Sequence, residues 1–209
     1  MKVLLVNGSP NEHGCSAEGL KIVAEELRAC GVDSETVWLG KQGVRECMAC
    51  GACKKGLGKC AIGGDPVNDV GARGDEFDGL IVASPVYYAG PTATITAFLD
   101  RLFYSAGSKF AYKPGACIVS CRRGGASASF DRLNKYFTIN NMPIVSSNYW
   151  NQIHGSRAED VYKDEEGVQT LRLLARNMAW MLKCFAAGKA AGVAMPAPAD
   201  KVRTNFIRG

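Results

Sequence analysis

Short apolar runs that break at glycine or proline alternate along this chain with stretches of helical spacing, and no other feature narrows the fold as much. Residues 2–7 form a β-branched, leucine-rich run that stops at Gly8-Ser9-Pro10, the way a buried parallel strand ends. Over 16–29, Leu20, Val23, Ala24 and Leu27 recur at helical intervals with charged residues between them, and Gly31 follows where a helix terminator belongs. The same reading predicts further strands over 33–39, 79–84, 115–120 and 142–147, and helices over 92–104, 127–137 and 166–187. Residues 40–64 form a glycine-rich excursion, and Asp65 or Asp69 is placed to cap a short helix after it. Strands alternating with helices imply an α/β parallel sheet wound on both faces, because each crossover is right-handed and covers the sheet. Ligands of such sheets bind past the carboxyl ends of the strands, where strand order reverses.

With 209 residues, 47% hydrophobic and 22% charged, the chain has the interior of one well-packed domain rather than the makeup of a disordered segment. That domain is expected over 1–187, with a cysteine-rich insertion at 46–64 and a loosely attached tail at 188–209. The net charge of +5 comes from scattered residues, with Lys54-Lys55 and Arg122-Arg123 the adjacent pairs. A nucleic-acid protein needs a dense basic stripe with interleaved aromatics, so no nucleic-acid partner is expected. A mild positive balance suits a pocket for a small phosphorylated ligand instead. No apolar run approaches the roughly 18–20 residues that span a bilayer, and the N-terminal apolar stretch is too short for a secretory signal. A cytoplasmic protein without a membrane partner is expected.

Three loops follow strand ends and carry unusual residues. The first, 8–16, contains Ser9, Pro10, Asn11, Gly14, Cys15 and Ser16 and leads into a helix, whose free N–H groups and dipole favour an anion. It lacks the Gly-Lys-Ser/Thr of a triphosphate loop and the G-x-G-x-x-G of a dinucleotide fold, which points to a single terminal phosphate. The second, 84–91, sets Pro85, Val86, Tyr87 and Tyr88 between prolines, so that paired aromatics can flank a flat ring. The third, 120–125, is Ser120-Cys121-Arg122-Arg123-Gly124-Gly125, where glycines permit close backbone approach and arginines supply charge. Each loop alone reads equally as an ordinary turn; all three at sheet ends would meet in one cleft. His13 and His154, the only histidines, are expected at the surface.

The Gly8-Ser9-Pro10-Asn11 and Ser84-Pro85-Val86-Tyr87-Tyr88 motifs, with Phe98-Leu99-Asp100-Arg101 closing the following helix, resemble the NADPH-dependent FMN reductase family over roughly residues 1–150. The resemblance implies a flavodoxin-like, doubly wound five-stranded parallel sheet of order 2-1-3-4-5, FMN at its carboxyl end, and a homodimer or homotetramer. It places the FMN phosphate on Ser9, Asn11, Cys15 and Ser16, the ring and ribityl chain along 85–88, and residues 120–125 on the other side. It implies an oxidoreductase that passes electrons from NAD(P)H through FMN to a flavin, a quinone, another small molecule or a redox partner protein. No side chain is then needed as catalytic acid or base, because the cofactor carries the chemistry. A flavodoxin-like electron carrier without NAD(P)H oxidation is the alternative, although flavodoxins are usually acidic and this chain is basic. A flavin-free module binding another phosphorylated ligand is a third. Residues 103 and 104, near the end of the 92–104 helix, are expected to be exposed and to offer a dimer surface.

Nine cysteines are many for a chain in a reducing compartment, where clustered thiols serve metal or redox chemistry rather than disulfides. Cys47, Cys50, Cys53 and Cys60 have the spacing C-x2-C-x2-C-x6-C. Two-residue gaps let successive thiolates turn onto one compact cluster, as in bacterial ferredoxins. Zinc accepts four thiolates too, usually through two separated pairs, and the thiols can also stand without metal. The insertion is similar to that of iron–sulfur flavoproteins, which implies a [4Fe–4S] cluster on these four residues.

Overall fold

The computed structural model describes residues 1–197 and Val202. Its strands are β1 (Lys2–Asn7), β2 (Asp33–Trp38), β3 (Gly79–Tyr87), β4 (Gly90–Pro91), β5 (Gly115–Cys121) and β6 (Gln152–His154). Its helices are α1 (Cys15–Ala29), α2 (Val67–Ala72), α3 (Ala93–Ala106), α4 (Ala126–Ile139) and α5 (Glu165–Ala190). The sheet runs β2-β1-β3-β5-β6, and all four pairings along it are parallel. Leaving aside the two-residue β4, which turns back antiparallel on β3, the parallel strands follow the order 2-1-3-4-5. The fold is the doubly covered α/β parallel sheet that the alternation predicts, in the flavodoxin-like strand order that the family resemblance implies.

Strand side chains alternate between faces, and both faces are covered. Val3, Leu5, Ile81, Ala83 and Ile118 pack on the layer made by α1 and α5. Leu4, Val6, Leu80, Val82 and Val119 pack on the layer made by α2, α3 and α4. Both clusters belong to one sheet, which explains why β1, β5 and β3 up to Ser84 read as apolar runs: there both faces are covered.

The last strand is not where the apolar pattern puts it. Residues 142–147 touch the sheet through a single bridge, Gly115 to Ile144. Pro143 has no N–H for a ladder, and Ser147 then folds the chain back, its Oγ accepting from the Tyr149 N–H at 3.3 Å. Pairing resumes at β6, where Ser120 faces Ile153. An edge strand broken in this way offers little surface for another chain. The expected tail also begins too early. α5 continues to Ala190, residues 191–197 follow without regular structure, and the rest of 188–209 apart from Val202 lies outside the described residues. Phe103 is not an exposed contact residue: its ring packs edge-on to Phe110 at 6.1 Å and against Tyr136 at 6.3 Å. Tyr104 is half exposed, with Lys54 Nζ over its ring.

Candidate functional site

The three strand-end loops meet at the carboxyl edge of the sheet and are tied to one another. Thr92, which caps α3 by accepting from the Ile95 N–H, donates its hydroxyl to Gly8 O at 2.8 Å, joining the second loop to the first. Ser16 Oγ and Ser120 Oγ lie 2.9 Å apart and buried, joining the first to the third. Gly125 joins the third to the second: its φ is +96°, and a Cβ there would stand 2.7 Å from Ala89 Cα and 2.8 Å from Val86 Cγ1. Gly8 is equally confined, since a Cβ would meet Ile95 Cβ at 2.6 Å.

The first loop is held open by its own side chains. Asn7 Oδ1 accepts from the Ser9 N–H, Ser9 Oγ from the Asn11 N–H, and Asn11 Oδ1 from the His13 N–H. Trp38, at the end of β2, donates its indole N–H to Ser9 O at 2.8 Å. α1 then starts at Cys15, its N-cap Gly14 supplying no side-chain cap, so its first-turn amides keep their hydrogen-bonding capacity and positive dipole end for a ligand. Pro10 lies at the rim of this loop. Ser9 and Ser16 are buried. Cys15 turns away: its thiol donates to Arg157 O at 3.2 Å, and burial pushes its pKa up.

In the second loop, Tyr87 ends β3 and Tyr88 opens the turn into β4. Tyr88 and Ala89 both adopt left-handed backbone, φ +50° and +59°, which a two-residue hairpin turn demands and which glycine or asparagine usually supplies. Tyr87 is half exposed and Tyr88 fully so. In the third loop the Cys121 thiol faces Arg123 O, and burial raises its pKa too. Arg122, Arg123 and Gly124 are exposed. Arg122 borders a shallow, open surface depression with His154, Asp160, Lys163 and Asp164.

His154 sits at the end of β6 with its ring partly exposed, at the surface as expected. Asp164 Oδ2 accepts from its backbone N–H at 2.7 Å and stands 3.0 Å from its Nδ1. Burial opposes the charge on Asp164, but hydrogen bonds from Gly167 and His154 outweigh it and hold the carboxyl below the ordinary range. His13 is exposed, as expected. Sequence reasoning missed Trp38, Thr92 and His154. Only Thr92 carried a signal, a threonine directly before helical spacing; the others need the strand ends located in space.

The cysteine segment packs against α3. Cys47, Cys50, Cys53 and Cys60 all line one small cavity of about 20 Å³, with Met48, Arg101 and Tyr104. Cys47 and Cys50 are exposed, Cys53 and Cys60 half-buried. Among the described residues no three His, Cys, Asp or Glu side chains converge on one point closely enough to hold a single metal ion.

A model of the NADPH-dependent FMN reductase family matches residues 1–155, the stretch carrying all three loops and the cysteine segment. The chain belongs to that family. Within it, an iron–sulfur flavoprotein of Methanocaldococcus jannaschii is 30% identical over 88% of this chain and 98% of its own length. Solved structures share the fold at low identity. RosB, with a bound 8-demethyl-8-formylriboflavin-5'-phosphate, superposes with a TM-score of 0.71 at 12% identity, over 99% of this chain and 92% of its own. A flavodoxin from the domain Archaea gives 0.60 at 12% identity, over 88% and 98%. Family membership makes this FMN reductase relative a flavin oxidoreductase by descent. Among the described residues no helix is long and apolar enough to cross a membrane.

Proposed function

We propose that this FMN reductase relative holds one FMN across its three loops and passes electrons from NAD(P)H to a small acceptor or a redox partner protein. We assign a [4Fe–4S] cluster to Cys47, Cys50, Cys53 and Cys60. The observation that carries the reading is the mutual bracing of the loops, through Thr92–Gly8, Ser16–Ser120 and Gly125–Ala89, around an uncapped helix start. Preorganised loops spare a ligand the entropy of ordering them.

The residues suit the cofactor. Amides at the start of α1, with Ser9, Asn11 and Gly14 around them, offer donors to a terminal phosphate, and Cys15 contributes through its backbone because its thiol is engaged elsewhere. Pro85, Val86, Tyr87 and Tyr88 give a flat ring an apolar wall, and covering Tyr88 would remove a fully exposed aromatic from water. Ser120, Cys121, Gly124 and Gly125 close the opposite side, where Arg122 and Arg123 place positive charge. FMN, when bound, supplies redox chemistry that no side chain here possesses. Around the cysteine cavity the donor set is four thiols. A polynuclear cluster spreads its ligands over several irons, so failure to converge on one point counts less against it than against a lone zinc ion.

Two measurements on freshly purified, anaerobically handled protein test this. Flavin absorption together with a broad band near 400 nm, roughly four irons per chain and bleaching by dithionite are expected for FMN plus cluster. Bleaching of the flavin by NADPH or NADH is expected for the oxidoreductase. A yellow, iron-free protein removes the cluster, and bound flavin that neither nucleotide reduces removes the donor.

A further inference from the structure

Among the described residues, the largest fully buried side chain is an arginine. Arg101, in the middle of α3, has a side chain with no solvent exposure. All three of its nitrogens point into the base of the cysteine segment. Nη1 and Nη2 make a forked pair with Asp65, Nη1 also donates to Arg45 O at 3.1 Å, and Nη2 to Ile62 O at 2.7 Å. Nε donates to Cys60 Sγ at 3.2 Å. The carbonyls and Asp65 would satisfy a purely structural clamp. The sulfur contact is a different matter, because it puts a permanent cation and a directed N–H against one of the four pocket thiols. Cys60 is gripped from its other side by Asn68 of α2, whose Oδ1 accepts from the Cys60 N–H and whose Nδ2 donates to Cys60 O, both at 3.0 Å. Cys60 is thus fixed at backbone and sulfur by two helices.

We propose that Arg101 is the positioning residue of the four-cysteine pocket: it fixes the Cys60 sulfur and sets the charge that this sulfur experiences. The proposal rests on the pocket assignment made above in so far as it concerns a cluster, but its geometric half does not. A donor held against a sulfur stabilises the more reduced, more negative state of whatever the sulfur ligates, and so raises its reduction potential. Lysine cannot replace it, having one compact cation where arginine has a planar fork.

Removing Arg101 alone strands the Asp65 charge, so the informative variant is the double substitution Arg101→Met with Asp65→Asn. The side-chain amide introduced at position 65 keeps an oxygen to accept the Val67 N–H, as the Asp65 carboxylate does now. Arg101→Lys is the companion, for use if the double variant does not fold. In the full-length protein we expect bound FMN to be unchanged and iron to be held about tenfold more weakly. The midpoint potential of the iron chromophore should move to more negative values in both variants. A wild-type potential together with wild-type iron retention in both variants overturns the proposal. Should the wild-type protein hold no iron, the cluster assignment fails, and alkylation of the thiols then decides the Arg101 question. Iodoacetamide, followed by peptide mass spectrometry, should label Cys60 at a rate changed by roughly tenfold in the variants relative to wild type, because the contact that holds and polarises its sulfur is gone. Cys184, exposed on α5, should react equally in all three. Equal Cys60 rates overturn the positioning role.

Discussion

Gly125 and Tyr88 hold opposite relations to the backbone they occupy. Gly125 has a left-handed φ and no room for a Cβ, so Gly125→Ala combines backbone strain with overpacking against Ala89 and should cost about 1–3 kcal/mol. FMN affinity should fall with it; urea unfolding and a fluorescence titration with FMN read the two effects separately. Tyr88 has a left-handed φ but no packing partner to justify its ring, which is fully exposed. A non-glycine residue kept in a costly conformation with its side chain in water suggests use rather than stability. Tyr88→Asn should raise thermal stability by about 0.5–1 kcal/mol, because asparagine tolerates this region, while FMN dissociates faster. An unchanged FMN off-rate would take Tyr88 out of the binding wall.

Elements are joined at their ends by charge as well as by hydroxyls. Glu35 of β2 accepts a forked pair from Arg73 and a further bond from Lys2 of β1. Arg73 first, then Lys2, holds its carboxyl down at about 2 from an ordinary 4.5. A carboxylate whose folded pKa is depressed stabilises the fold above its unfolded pKa and loses that contribution as pH falls through the folded one. Stability should therefore decline between pH 4.5 and about 2, and Glu35→Gln should flatten that part of the curve. The groups are partly exposed, so the effect at neutral pH is about 1 kcal/mol or less. Chemical denaturation at a series of pH values measures it. α3 does more than cover the sheet. Thr92 at its start braces the loops, and Arg101, nine residues and thus roughly 14 Å along the axis, holds the cysteine segment. One rigid element therefore carries both candidate centres.

At the scale of the molecule, both centres lie on one flavodoxin-like layer arrangement, and the surface between copies is open to test. The family resemblance implies a homodimer or homotetramer, so light scattering should return twice or four times the 22.3 kDa chain mass. Phe103 is packed inside its own chain, so Phe103→Ala should lower stability rather than split the assembly. A monomeric mass at micromolar concentration would refute the assembly outright.

Where burial is two-sided and local, the amino-acid order was sufficient. The apolar runs of β1, β3 and β5, the helical spacing of α1 and α3, and the glycine- and serine-rich loops after the strands are legible because each element's pattern follows from the faces it buries. Family motifs in two of those loops pointed to FMN from the residues alone. The short edge strand was not legible. β6 has three residues, and Pro143 with its neighbours offers a longer apolar decoy whose exclusion depends on hydrogen bonds available only beside β5. Nor could spacing reveal that Ser16 meets Ser120, that His154 lies beside Asp164, or that Arg101 reaches Cys60, 41 positions earlier in the sequence. Such contacts are made by chain crossovers that bring distant residues to one edge, and only the packed sheet decides which of them touch.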